Sequence, residues 1–126
     1  MDKKIKILLV DNEPDVASMA KMRLEASGYE VFTVFDGNTA YDMLQCAVPD
    51  VVISDVMLPG ISGYQLCQRM KTDSRYLHIP VIILTAKSQK EDKEFGKKVG
   101  ADCYLTKPFE AKELLAALKE LLKNRN

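Results

Sequence analysis

The sequence predicts an α/β fold in which a parallel sheet is covered by helices on both faces. Three observations lead to this prediction. Short apolar runs alternate with longer amphipathic segments, and two of the runs are continuously apolar. The amphipathic segments also begin and end with residues that favour helix termini. Residues 51–53 and 81–84 contain only valine, isoleucine and leucine, which is typical of strands that are buried on both faces of a parallel sheet.

Five strands and five helices alternate along the chain. The strands are predicted at residues 5–10, 31–35, 51–54, 81–84 and 103–105, because these runs are short and rich in β-branched or aromatic residues. The helices are predicted at residues 15–27, 39–47, 63–72, 89–99 and 110–123; the first begins beside Pro14 and ends at Gly28. This alternation implies right-handed crossovers and a three-layer, doubly wound sheet in the flavodoxin-like order 2-1-3-4-5.

Length and composition indicate one folded domain over residues 1–126. The 18 basic residues balance the 18 acidic ones, so the domain lacks the basic excess that direct nucleic-acid binding requires. The longest apolar runs are too short to cross a membrane, and the first residues do not form a signal peptide, so a cytoplasmic location is expected. Cys46, Cys67 and Cys103 form no CxxC pair and are predicted to be reduced and mostly buried.

Polar residues follow four of the five predicted strands. In the predicted sheet order these strand ends lie side by side, at the crevice where doubly wound sheets bind ligands. The residues are Asp11, Asn12 and Glu13 after the first strand, Asp55 after the third, Thr85 after the fourth and Lys107 after the fifth.

Carboxylates gathered in one crevice require a cation, and oxygen ligands without histidine or cysteine suit Mg²⁺. The Asp55 carboxylate is then placed to attack a phosphoryl donor and form an acyl phosphate. The Lys107 ammonium and the Thr85 hydroxyl would stabilise the developing charge. Taken singly, these residues also fit a turn, a surface charge and a helix cap. Their combination at four strand ends favours a phosphoryl-transfer site.

Four segments, at residues 8–13, 50–63, 84–86 and 100–109, resemble the bacterial two-component response regulator receiver family. The likeness covers essentially the whole chain, in the family's order and spacing. It implies that Asp55 takes a phosphoryl group from a sensor histidine kinase or phosphotransfer protein, with the first helix as a candidate contact surface. A downstream effector domain or protein would read the change. The domain would be a signalling switch and not an enzyme, although its own site would assist phosphotransfer and autodephosphorylation.

The resemblance also assigns individual roles. The Mg²⁺-binding positions of the family are held by Asp11, Asn12, Asp55 and the backbone carbonyl of Met57. The hydroxyl that moves toward the phosphoryl group is that of Thr85, its fixed cation is Lys107, and the aromatic residue that turns inward is Tyr104. The Lys107–Pro108 peptide bond is expected to be cis, which only proline makes inexpensive.

Two residues depart from the family pattern. Asn12 stands where the family has a second acid, so Mg²⁺ binding is expected to be weaker than with aspartate, though not abolished. Glu13 is expected to point away from the site if the strand-like alternation continues. Cys103 stands where the family often has an aspartate that pairs two receivers, which leaves the oligomeric state open.

Three other functions compete with a phosphorylated switch. A hydrolase with an aspartyl-phosphate intermediate usually has a second aspartate two residues after the nucleophile, where this chain has Met57. A flavin-binding domain needs a hydroxyl- or glycine-rich loop after the first strand, where this chain is acidic. A receiver-like module that only binds partners is favoured by Asn12 and disfavoured by the presence of Asp55, Thr85 and Lys107.

Overall fold

The computed structural model describes residues 4–86 and 100–123. The elements in chain order are β1 (Lys6–Val10), α1 (Pro14–Ala26), β2 (Glu30–Val34), α2 (Gly37–Cys46), β3 (Val51–Asp55), α3 (Gly63–Lys71), β4 (Val81–Ala86), β5 (Cys103–Lys107) and α4 (Ala111–Leu122). Each differs from its predicted bounds by at most two residues. The helix predicted at residues 89–99 lies outside the described residues. Within them, no helix has the length and hydropathy to cross a bilayer.

The five strands form one parallel sheet in the order β2-β1-β3-β4-β5, which confirms the predicted topology. The register brings the carboxyl ends of the central strands to one edge of the sheet. Asp55 lies opposite Leu84, and Thr85 lies opposite Thr106 in the next strand. The polar residues that follow different strands are therefore collected at this edge.

Alternate residues of the strands belong to two separate apolar clusters, one on each face of the sheet. The first joins the sheet to α2 and α3, with Leu44 and Met70 fully buried. The second joins it to α1 and α4, with Leu24 and Leu118 fully buried. Each such side chain contributes about 1.5–3 kcal/mol by leaving water. The two clusters produce the predicted three layers and fix the strand ends relative to α1.

The loop between β3 and α3 folds back closely over the end of β3. The Gly63 N–H donates to the Val56 carbonyl oxygen over 2.9 Å, and a Cβ atom on Gly63 would overlap the carbonyl oxygen of Asp55. The Ser62 and Gln65 side chains form a capping box that begins α3 at this point. Only glycine allows this approach, so the loop holds the Asp55 backbone in a defined position.

The three cysteines are free, but their burial differs from the prediction in one case. Cys67 is buried in α3 and Cys103 is half-buried, as expected for small apolar side chains. Cys46 is exposed, so its predicted burial was wrong. It is the last residue of α2, two positions after the buried Leu44, and a helix turns such a residue to its opposite face.

Candidate functional site

Three carboxylates converge at the carboxyl edge of the sheet. One oxygen each from Asp11, Glu13 and Asp55 lies within 4.8 Å of the other two. Asp11 follows β1 and Asp55 ends β3, and both are buried. Glu13 is exposed and stands at the N-cap of α1. The fold thus places two acids from neighbouring strands and one from a helix terminus around a single point.

The position of Glu13 corrects the prediction that it points away from the site. The strand ends at Val10, and the Asp11 carboxylate accepts the Glu13 N–H over 2.9 Å. This hydrogen bond turns the chain into α1, whose first residue is Pro14. The strand alternation therefore stops before Glu13, and the Glu13 side chain faces the carboxylates of the site instead. The proline at the start of the helix was the sequence signal for this bend.

Lys107 supplies the positive charge among these acids. Its Nζ lies 2.6 Å from Asp55 Oδ1, 3.4 Å from Asp11 Oδ2 and 3.5 Å from Glu13 Oε1. The Lys107–Pro108 peptide bond that follows is cis, the geometry expected from the resemblance. Three carboxylates against one ammonium leave a formal charge of −2. The site can therefore still take up a cation.

Burial and mutual repulsion perturb the charged groups. Burial raises the pKa of Asp55 to about 7, and the neighbouring Asp11 carboxylate adds to this effect more than Lys107 opposes it. Burial alone would lower the pKa of Lys107, but the carboxylates of Asp55 and Asp11 outweigh it and raise the pKa. Ionised Asp55 therefore needs more positive charge than Lys107 provides.

Two buried oxygen atoms of the site have no hydrogen-bond partner among the residues that the structure describes: Thr85 Oγ1 and Asp55 Oδ1. The Lys107 ammonium contacts Asp55 Oδ1 as an ion pair, without the angle of a hydrogen bond. Leaving a buried polar group unpaired costs about 1–3 kcal/mol. Thr85 and Asp55 lie on adjacent strands, and the Thr85 hydroxyl in particular could still hydrogen-bond a group bound at Asp55.

The structure also describes the surroundings of the other predicted site residues, Asn12, Met57 and Tyr104. Asn12 and Met57 line the same cavity as Asp55, and the Met57 side chain is 69% exposed. Tyr104 lies in β5, where it is half-buried against the apolar cluster beneath α2 and α3. Burial and the nearby Cys67 raise the pKa of its hydroxyl. Their predicted roles stay predictions.

A cavity of about 720 Å³ leads away from the carboxylates between α1 and α4. Glu13, Asp55 and Lys107 line its polar end. The walls beyond them are mostly apolar, formed by Met19, Leu24, Phe109, Leu114 and Leu115 among others. The acidic site is therefore open to solvent along a mainly hydrophobic groove.

The donor set fits a hard divalent cation. The three carboxylate oxygens are the ligand type that Mg²⁺ prefers, and the cluster contains no imidazole or thiolate that would favour Zn²⁺. Asp55 belongs to this cluster, and its buried Oδ1 is ion-paired with Lys107 but has no hydrogen-bond partner among the described residues. The geometry thus allows the cation that the sequence predicted.

Comparisons with known proteins agree with this picture. The model of the response regulator receiver domain family matches residues 7–119. A putative response regulator of Chloroflexus aurantiacus is 38% identical, with a TM-score of 0.93, over 97% of this chain and 100% of that one. The receiver domain of a histidine kinase of Syntrophus aciditrophicus is 36% identical, with a TM-score of 0.90, over 96% and 93%. The receiver domain of a Pseudomonas aeruginosa sensor histidine kinase, which has a magnesium ion in its active-site cleft, is 29% identical, with a TM-score of 0.88, over 97% and 100%.

Proposed function

The chain belongs to the response regulator receiver domain family, and from this premise we propose that it accepts a phosphoryl group on Asp55. Receiver domains are signalling switches of two-component systems and not classical enzymes. The observation that carries the proposal is the position of Asp55, buried at the end of β3, 2.6 Å from Lys107 and inside the carboxylate cluster.

In the proposed transfer, a carboxylate oxygen of Asp55 forms a bond to phosphorus while the bond from phosphorus to the donor breaks. The donor, a phosphohistidine nitrogen or the oxygen of a small acyl phosphate, leaves with the electron pair. Lys107 holds its ammonium beside the carboxylate and stabilises the charge on the transferred oxygens. Hydrolysis of the acyl phosphate at the same site would reset the switch.

Receiver domains bind Mg²⁺ at their acidic site, and the bound ion neutralises phosphoryl oxygens that the carboxylates would otherwise repel. The proposed ligands in this chain are Asp11, Asn12, Asp55 and the backbone carbonyl of Met57. The buried Asp11 and Asp55 carboxylates support this assignment. The Asn12 amide oxygen carries no charge, so binding should be weaker than with aspartate at this position.

Thr85 and Tyr104 are proposed to convert phosphorylation into a change of shape. The Thr85 hydroxyl is buried without a hydrogen-bond partner in the described part of the chain, and a phosphoryl oxygen on Asp55 would satisfy it. Movement of Thr85 would free space for the half-buried Tyr104 on the neighbouring strand to turn inward. The altered surface would then shift the equilibrium toward a state that binds an effector.

The receiver domain family interacts with histidine kinases and with effector domains. We propose that a sensor histidine kinase or phosphotransfer protein docks on α1 beside the site. Met19 and Met22 of this helix are each 69% exposed, and Met19 lines the groove that leads to Asp55. Exposed methionines adapt readily to a partner surface. An effector domain or protein is proposed to read the switched state.

Intact mass spectrometry after incubation with acetyl phosphate and Mg²⁺ tests the acceptor. Wild type should gain one phosphoryl group of about 80 Da, and Asp55→Asn should gain none. Asp42→Asn, which removes an exposed carboxylate from α2, is the matched control and should be modified like wild type. If wild type gains no mass with acetyl phosphate or with a cognate kinase, the chain is instead a module that binds partners without phosphorylation.

Thr85→Ala tests the switch separately from the chemistry. This variant should still gain the phosphoryl mass, because Asp55 and Lys107 remain, but the environment of Tyr104 should no longer change on phosphorylation. Fluorotyrosine NMR can follow the five tyrosines, with Tyr104→Phe identifying the signal. A Tyr104 signal that shifts equally in wild type and Thr85→Ala would contradict the proposed coupling.

A further inference from the structure

We propose that Glu13 supplies the carboxylate that Asn12 lacks, as a third acidic ligand for the divalent cation beside Asp11 and Asp55. The inference rests on the proposed magnesium site. It adds Glu13 to that site, although the resemblance assigns the cation only to Asp11, Asn12, Asp55 and the Met57 carbonyl. Its starting observation is that the Glu13 oxygen lies within 4.8 Å of oxygens from both aspartates.

Asp11, itself a proposed ligand of the cation, forms the backbone turn that brings Glu13 to the site. Asp11 Oδ1 accepts the Glu13 N–H over 2.9 Å, while Asp11 Oδ2 lies 3.4 Å from the Lys107 ammonium. Glu13 occupies the N-cap position of α1, yet its side chain makes no capping hydrogen bond. Its carboxylate instead lies 3.5 Å from Lys107. The side chain is thus committed to the carboxylate cluster and not to the helix terminus.

A second observation supports a ligand at the cluster. Thr85 Oγ1 is buried and lacks a hydrogen-bond partner among the described residues, and Asp55 Oδ1 is buried with its ion pair to Lys107 but no hydrogen bond. Two oxygens bound to one octahedral Mg²⁺ lie at most about 4.2 Å apart, since each bond is about 2.1 Å long. Three oxygens on one ion form at most one such trans pair, and the other two pairs are cis, about 3.0 Å apart. The three carboxylate oxygens, within 4.8 Å of one another, therefore need to approach by at most about 1.8 Å. The Glu13 side chain is 61% exposed, so it can move this far without disturbing the core.

The charge of the cluster explains why Glu13 matters in this chain, where the neighbouring position is held by the uncharged Asn12. With Glu13 the cluster carries a formal charge of −2 after Lys107 is counted, which a divalent cation neutralises. Without Glu13 the charge is −1, and Lys107 is shared by only two carboxylates. Both effects weaken cation binding. The less negative cluster attracts the divalent cation less strongly, and the Lys107 ammonium competes more strongly for Asp11 and Asp55.

Binding of Mn²⁺, followed by electron paramagnetic resonance of the free ion, tests this role without reference to phosphorylation; Mn²⁺ takes the same oxygen ligands as Mg²⁺. Glu13→Gln should weaken binding about five- to tenfold. Glu25→Gln makes the same exchange at an exposed position near the other end of α1, about 18 Å along the helix axis. It should change the Kd less than twofold.

Two further measurements separate a ligand from a distant charge. In the Asn12→Asp background, Glu13→Gln should cost only about twofold, because the second aspartate replaces the missing carboxylate. At about 0.5 M salt, where the screening length falls to about 4 Å, the effect of Glu13→Gln should stay above threefold. Loss of the effect at high salt, or equal effects of Glu13→Gln and Glu25→Gln, would overturn the inference.

The outcomes also distinguish this inference from the proposed function. If wild type binds Mn²⁺ in a Glu13-dependent way but gains no phosphoryl mass, the inference holds and the acceptor role of Asp55 fails. If wild type is phosphorylated and Glu13→Gln binds Mn²⁺ as wild type does, only the inference fails. Wild-type protein that does not bind Mn²⁺ overturns the inference at its premise.

Discussion

Replacing Lys107 by methionine is expected to slow phosphorylation of Asp55 about 100-fold while strengthening the binding of divalent cations. The ammonium lies 2.6 Å from Asp55 Oδ1, where negative charge is transferred with the phosphoryl group. Removing one fixed group that stabilises such charge typically costs two to three orders of magnitude in rate. The same substitution removes the cation that competes for the three carboxylates, so Mg²⁺ should bind about fivefold more tightly.

The experiment is informative because the substitution should lower the phosphorylation rate and raise the Mg²⁺ affinity. A variant that had merely unfolded or lost its site would lose both properties, whereas Lys107→Met should lose rate and gain affinity. Lys112→Met is the matched control: Lys112 lies in the first turn of α4, its side chain is 84% exposed, and its only carboxylate contact in the described structure is Glu110 at 3.5 Å. This control should change neither property measurably. Weaker Mg²⁺ binding in Lys107→Met would contradict the proposed competition.

Some features of the site could be predicted from the sequence, and others could not. Strand periodicity, with the rule that parallel strands end together, predicts the sheet order and the collection of Asp11, Asp55, Thr85 and Lys107 at one edge. These features depend on the backbone topology, which residues such as Val51 and Ile53 determine through their pattern. Side-chain direction at a helix terminus depends instead on one local hydrogen bond.

Glu13 illustrates that limit. Strand alternation predicted that its side chain would leave the site, but the hydrogen bond from its N–H to Asp11 turns the chain one residue before Pro14. Cys46 shows a similar limit, since composition predicts burial while the helical phase of α2 turns it outward. In both cases the element was predicted correctly and the direction of one side chain was not. Direction at element ends therefore requires the turn geometry and not the periodicity alone.

Asp55→Asn is expected to be the more stable protein when metal is absent, with a gain that grows with pH. Burial raises the pKa of Asp55 from its usual value to about 7, so the folded state binds a proton more tightly than the unfolded chain. Stability therefore falls as pH rises from about 4 to about 7, and the cost is fully present above that range. Ionising this buried carboxylate therefore costs the folded state about 2–4 kcal/mol. Asparagine carries no charge and avoids this cost.

Urea unfolding in a chelating buffer measures the difference in unfolding free energy between Asp55→Asn and wild type. It should be about 2–4 kcal/mol at about pH 8 and less than half of that at about pH 5, where folded Asp55 is largely protonated. Asp42→Asn, at an exposed position of α2, should stay within about 0.5 kcal/mol of wild type throughout. Saturating Mg²⁺ should narrow the gap, because it binds the ionised site of the folded wild type. A gap that is independent of pH would mean that Lys107 alone compensates the buried Asp55 charge, and that the cluster needs no further cation.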